Sequence, residues 1–157
     1  MIASDILEKA KEKAVMIATA ESCTGGMVAA ALTDIAGSSA VVDRGFVTYS
    51  NAAKMAMLGV RAETLEAVGA VSEEVAREMA DGALNNSVAQ LAVSITGIAG
   101  PGGSEHKPEG RVCFGLAQHG QTTQAHTVEF TALGRAQVRE AARDHALNLL
   151  LQALTTD

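Results

Sequence analysis

Tryptophan is absent from this 157-residue chain, tyrosine occurs once and phenylalanine three times. So few rings cannot build the stacking platform on which a single-stranded nucleic acid lies. Excess positive charge is missing too: 12 Lys and Arg stand against 18 Asp and Glu, a formal net charge of −6 with neutral histidines. A chain of that charge offers no electrostatic footprint for a phosphate backbone, which argues against nucleic acid as a partner. No apolar run reaches the roughly 18 residues of a membrane span. The opening MIASDILEKAKEKA mixes acids with lysines where a signal peptide carries an apolar stretch. Only two cysteines, Cys23 and Cys113, are present, and without an export signal they are expected to be free thiols. The reading is a cytoplasmic protein, outside the membrane, with a small-molecule partner.

What is abundant is small residues. Thirty alanines and 15 glycines sit in a chain that is 48% hydrophobic and 19% charged. This composition buries a core of ordinary size for a single domain over residues 1–157. Alanine-rich helices can pack closely, and glycines free the backbone for tight turns.

The apolar pattern alternates between helix and strand periods. Helices are predicted over residues 4–13 with Ser4 as N-cap, 27–35, 52–57, 62–68, from Ser72 to about Leu84, and 134–154. Strands are predicted over 15–20, 41–49 and 91–96, with an antiparallel pair at 111–117 and 123–130. Residues 97–110, dense in Gly and Pro, form a loop. The order predicts an α/β fold: a single-domain α/β sandwich with a mixed sheet and helices packed on its faces.

Four segments are candidates for chemistry. In Glu21-Ser22-Cys23-Thr24-Gly25-Gly26, a polar, glycine-bearing stretch leaves a strand and opens a helix. Such a stretch aims free backbone N–H groups at an anion or oxyanion, although an N-cap with packing glycines accounts for the same residues. It is not a phosphate-binding P-loop motif. In Thr48-Tyr49-Ser50-Asn51-Ala52-Ala53-Lys54, the one tyrosine ends a strand, and Ser50 and Lys54 share a helix face at i, i+4. A lysine drawn into an apolar pocket loses its proton readily and serves as a general base; a solvated surface lysine is the alternative. The stretch Ser94 to Gly103, including Thr96, Gly97, Gly100, Gly102 and Gly103, repeats the arrangement of strand, hydroxyl and glycine loop. Arg135, Arg139 and Arg143 recur along the last helix and suit either a phosphate or solvent. Cys23 is a rival nucleophile. No histidine spacing suggests a metal, and Ser104-Glu105-His106-Lys107 has the S-x-x-K string in a loop rather than at a helix start.

Taken together, Ala20–Gly26, Gly45–Asn51 with Lys54, Gly69–Val75, and Ser94–Gly103 with Lys107-Pro108 resemble the CinA C-terminal domain family over nearly the whole chain. The resemblance implies a nicotinamide-nucleotide amidohydrolase of pyridine nucleotide salvage, related to competence and damage-inducible proteins. Such an enzyme converts nicotinamide mononucleotide to nicotinic acid mononucleotide and ammonia, without metal or cofactor. Carried over by motif, Ser22 is the nucleophile and Lys54 the base. The expected substrate contacts are Glu21, Thr24, Gly25, Gly26, Tyr49, Ser50, Thr96, Gly97, Gly100, Gly102, Gly103 and Arg139. Many relatives carry a larger N-terminal domain that this sequence lacks, so a stand-alone form is expected; a homo-oligomer is expected because such assemblies are common. Where relatives often read Gly-Asp-Arg before the last helix, this chain has Leu133-Gly134-Arg135; Glu109 and Arg111 also depart from the family pattern. A non-catalytic nucleotide-binding or regulatory domain, and an amidohydrolase of another small carboxamide, are the competing readings.

Overall fold

In a computed structural model, residues 1–156 are described. They run through α1 (Ile2–Lys13), β1 (Ile17–Glu21), α2 (Met27–Thr33), a 3₁₀ turn (Ser38–Ala40), β2 (Val42–Val47), α3 (Asn51–Leu58) and α4 (Ala62–Val68). There follow α5 (Glu73–Asn85), β3 (Leu91–Gly97), β4 (Arg111–Gln118), β5 (Gln124–Glu129) and α6 (Arg135–Thr155). The five strands form one mixed sheet in the order β2-β1-β3-β4-β5. β1 runs parallel to β2 and to β3, while β3–β4 and β4–β5 are antiparallel.

Each expected helix and strand is present, α4 with the expected ends and the others with shifted ones. α1 begins at Ile2 with no side-chain cap, so Ser4 lies inside it rather than at its start; Ala3 already belongs to the buried face with Ile6, Leu7 and Ala10. α2 stops at Thr33, and the break after it holds the 3₁₀ turn. Ser72 does cap α5, its hydroxyl accepting from the Val75 N–H at 3.2 Å.

The sheet has two unlike faces, set by alternation within strands that read as plain apolar runs. Ile17, Leu91, Val93, Ile95, Val112 and Phe114 point to one side, where they pack with α1, α2 and α6 residues such as Ile6, Leu32, Val138 and Leu150. Ala18, Ala20, Ala92 and Ala117 point to the other, against Val75, Met79, Ala80 and Ala83 of α5. Small residues on both partners bring α5 close to the sheet. A Cβ on Gly115 would strike the Ala76 carbonyl, and one on Gly82 would strike that of Leu58.

β1 and β2 end level with one another, Glu21 lying opposite both Val47 and Ile95, and β3 runs two residues further, to Gly97. The Ser22 N–H still reaches the Ile95 carbonyl at 3.0 Å, and the Thr48 N–H that of Glu21 at 2.9 Å. Ser22, Thr48-Tyr49 and Thr96-Gly97 therefore emerge together at the carboxyl ends of these strands, where open α/β sheets hold their ligands. Among the described residues no helix is long and apolar enough to cross a membrane.

Candidate active site

A cavity of about 330 Å³ opens at these strand ends. Its floor comes from Ser22 after β1, Lys54 of α3 and Thr96 of β3; its rim comes from Tyr49, the glycines of the β3–β4 loop and Arg135. Lys54 enters from the first turn of α3. Ser50 starts that helix, its hydroxyl accepting from the Ala53 N–H at 3.0 Å. The lysine then turns inward and is only 2% exposed. Its Nζ donates to Ser22 Oγ at 3.2 Å and to the Thr48 carbonyl at 3.0 Å.

Both partners of that amine are neutral, and Lys54 forms no ion pair among the described residues. Burial penalises the charged form, so the pKa of Lys54 is held below the usual lysine value of 10.5, with Cys23 and Glu105 pulling weakly the other way. Cys23 responds oppositely to the same burial: its thiol is pushed up to about 11, which leaves it protonated at neutral pH. Of the two candidate nucleophiles at this corner, the serine has a buried amine of lowered pKa beside it and the cysteine lacks a thiolate.

On the rim, Arg135 donates to the Gly100 carbonyl and to the Tyr49 hydroxyl, each at 2.7 Å. It ties the start of α6 to the β2–α3 and β3–β4 connections. Tyr49 is 60% exposed and holds its hydroxyl at the cavity mouth. Thr96 is buried and donates to the Ala70 carbonyl at 2.9 Å.

The family model of the CinA C-terminal domain matches residues 1–154. The chain belongs to the CinA C-terminal domain family. A nicotinamide-nucleotide amidohydrolase PncC of Escherichia coli K12 is 53% identical over 146 residues, covering 90% of this chain and 86% of the relative. Another protein of that name, from Enterobacter agglomerans, is 62% identical over 108 residues, 68% of this chain and 66% of the relative. A CinA-like protein of Chlorobium phaeobacteroides is 52% identical over 147 residues, and there the chain spans only 35% of the relative's length. Among solved structures, the competence/damage inducible protein CihA from Agrobacterium tumefaciens superposes with a TM-score of 0.94 at 49% identity, covering 99% of this chain and 94% of that one.

In this CinA-family chain the cavity gathers Ser22, Lys54, Tyr49, Thr96, Gly97, Gly100, Gly102 and Gly103 from the residues singled out in the sequence. Six others lie outside its lining. Glu21 is 1% exposed, and its carboxylate accepts from Thr24 Oγ1 at 2.6 Å and from the N–H groups of Val28 and Ala29 at 3.0 and 3.1 Å. The free N–H groups of α2, read as an anion site, are thus filled by the chain's own carboxylate, and Thr24 is consumed in the same cap. Gly25 and Gly26 sit at φ +57° and +109°, turning the chain from Ser22 into α2. Ser50 spends its hydroxyl on the cap of α3, being outside the helix rather than on its face. Arg139 donates to the carbonyls of Cys23 at 3.0 Å and Thr24 at 3.4 Å, bracing the turn from behind.

Arg135 is the arginine that reaches the cavity, one turn before Arg139 on the same helix. Asn51, Ile98 and Glu105 also line it and were not singled out. Asn51 lies in the Thr48–Lys54 stretch and in the Gly45–Asn51 family motif, and Glu105 in the Ser104–Lys107 string, but neither was assigned a role from the sequence. Lys107 donates to the Val68 and Val71 carbonyls at 2.6 and 2.5 Å and so anchors that loop. Among the described residues no group of three or more His, Cys, Asp or Glu side chains is arranged to hold a metal ion.

Proposed function

We propose that this chain hydrolyses the carboxamide of nicotinamide mononucleotide to the carboxylate and ammonia, with Ser22 as nucleophile and Lys54 as general base. One observation carries the reading: a buried lysine amine, with no ion pair among the described residues, lies 3.2 Å from the hydroxyl of a serine at a strand end. Support for the substrate comes from the relatives of 53% and 62% identity that are named for this reaction.

The steps follow from the geometry. Neutral Lys54 accepts the Ser22 proton as Oγ attacks the carboxamide carbon, while the Thr48 carbonyl keeps Nζ oriented. Charge builds on the carboxamide oxygen. The Cys23 N–H, next in the chain to the nucleophile and without a backbone acceptor among the described residues, supplies a donor for it. Lys54 then passes its proton to the amide nitrogen, the C–N bond breaks, and ammonia leaves an ester on Ser22. Water attacks that ester, giving its proton to Lys54. The acid departs and Ser22 regains its proton from Lys54. Serine, lysine and water suffice, so the scheme calls on no cofactor. A positioned base contributes about 10²–10⁴ in rate, and each oxyanion donor about 10²–10³.

Arg135 supplies the phosphate contact, since its guanidinium stands at the rim and arginine matches phosphate geometry. Gly97, Gly100, Gly102 and Gly103 bring the loop backbone to the cavity wall, and of these Gly102 has open space where a side chain would stand. The test is release of ammonia from nicotinamide mononucleotide by the purified chain, with the acid product identified by chromatography. Absence of both products at millimolar substrate would falsify the assignment.

A further inference from the structure

Among the described acidic side chains, Glu105 alone lines the cavity. It also stands apart from the acids near it. Glu109 accepts from the Gly102 N–H, Glu129 pairs with Arg111, Glu73 accepts from Thr127, and Glu21 caps α2. Glu105 makes neither an ion pair nor a side-chain hydrogen bond among the described residues.

Its place is nonetheless built. Ser104 and Lys107 exchange backbone hydrogen bonds at 3.0 and 2.8 Å, closing a tight turn with Glu105 and His106 at its tip. Both tip residues take positive φ, 52° and 64°, a conformation that side-chained residues rarely adopt. Lys107 clamps the turn to the α4–α5 connection through the Val68 and Val71 carbonyls. Beneath it lies Gly69, where a Cβ would collide with Glu105 Oε2. A glycine thus makes the space that the carboxylate occupies. The charge of Glu105 is felt by Lys54, so it bears on the reacting end of the cavity.

The cavity therefore carries a guanidinium from Arg135 and an uncommitted carboxylate from Glu105. The substrate of the proposed reaction has the complementary pair, an anionic phosphate and a pyridinium ring whose nitrogen is quaternary and positive. Resting on that reading of the substrate, we propose that Glu105 is a specificity-determining residue. Its carboxylate recognises the cationic ring and so selects the oxidised N-ribosyl pyridinium over neutral-ring analogues. The few aromatic rings of the chain make this the more needed: Tyr49 is the one aromatic residue lining the cavity, so charge takes over recognition that stacking supplies elsewhere.

The test uses the whole chain and Glu105→Gln, which removes charge at nearly constant size. kcat/KM is measured for nicotinamide mononucleotide and for its 1,4-dihydro form, whose ring is neutral. The preference for the cationic form is expected to fall about fivefold to tenfold in the variant, mainly through KM, with the neutral form changed less than twofold. Glu105→Lys is expected to deepen that loss, and thermal melting checks that both variants fold. Equal losses on the two substrates, no loss, or a Lys variant no worse than Gln would each overturn the inference. Calorimetric binding of the two forms makes the same comparison without turnover. If the unaltered chain releases no ammonia, the deamidase reading falls while the charge preference is still decided by binding.

Discussion

Lys54 Nζ stands 3.2 Å from Ser22 Oγ although 31 residues separate the two in the chain. The contact exists because β1 and β2 are parallel neighbours that end level, so that the residue after one strand meets the first turn of the helix after the other. Two groups that act as one unit lose activity together rather than additively. Lys54→Met is expected to lower kcat by about 10²–10⁴, the range of a positioned base. Ser22→Ala is expected to lower it at least as far, and the double variant no further than the worse single one. Lys54→Met is also expected to melt at the same temperature or higher, because it replaces a buried amine without a counter-ion by a thioether of similar length. Ammonia release and calorimetric melting on the four proteins check both halves; a double variant far below either single one would break the coupling.

The lowered pKa of Lys54 has two consequences for pH, and both have the same sign. As a base the residue works neutral, so kcat/KM is expected to rise with pH through its depressed native pKa and then level off, below the usual 10.5. Folding responds too. Below the native pKa the amine is charged in both states, and above 10.5 it is neutral in both. In between, the unfolded chain binds a proton that the native state lacks, so stability rises with pH across that window. Lys54→Met is expected to flatten the rise. Denaturant unfolding from pH 7 to 10.5 reads the slope, and an unchanged slope in the variant would assign it to other groups.

Much of this geometry was legible in the residues, and what was not has identifiable physical causes. Ser22, Tyr49 and Thr96 could be read because apolar strands ending in hydroxyls beside glycines put polar groups at the tip of a sheet. Lys54 was readable as a base or as a solvated surface lysine, and the family resemblance favoured the base; spacing paired it with Ser50, whereas the hydroxyl it reaches follows a neighbouring strand. Glu21 was expected at the substrate among the contacts drawn from the family resemblance. Its role was decided by the N–H groups of Val28 and Ala29, which the turn through Gly25 and Gly26 folds back over it. Arg135 and Arg139 lie one helical turn apart, about 5.4 Å along the axis. That single turn separates an arginine at the cavity from one behind it, and helical periodicity treats the two as equivalent. Glu105 was invisible because its placement depends on a left-handed turn and on the missing side chain of Gly69.

The two arginines are separable by experiment. Arg135 faces the cavity, so Arg135→Ala is expected to lower kcat/KM on nicotinamide mononucleotide by about 10–100-fold, the scale of a lost charge-assisted hydrogen bond. On the riboside, which lacks the phosphate, the same variant is expected to lose less than about threefold. Arg139 donates only to the Cys23 and Thr24 carbonyls, so Arg139→Ala is expected to weaken both substrates in parallel and to lower stability by about 1–3 kcal/mol. Phosphate selectivity that moved to Arg139→Ala would reverse the assignment.

Far from the cavity, His126 of β5 and His145 of α6 bring their Nε2 atoms to 2.7 Å, packed against the ring of Phe114. One proton serves that contact, with one ring donating and the other accepting. A proton on the accepting nitrogen as well would set two N–H groups against each other and break the bond. Burial, and then the charge of His126, hold the pKa of His145 below its usual 6.5. The unfolded chain therefore takes up this proton before the native one does. Stability is full above pH 6.5, falls as the pH drops below it, and levels off once the native ring is also protonated. Because the ring is partly exposed, the loss at this site is expected to be on the order of 1 kcal/mol or less. Melting curves at pH 7.5 and 5 are expected to draw closer together in His145→Phe, which keeps the packing with Phe114 and Phe130 and removes the proton site. An equal shift in both proteins would place the acid sensitivity elsewhere in the fold.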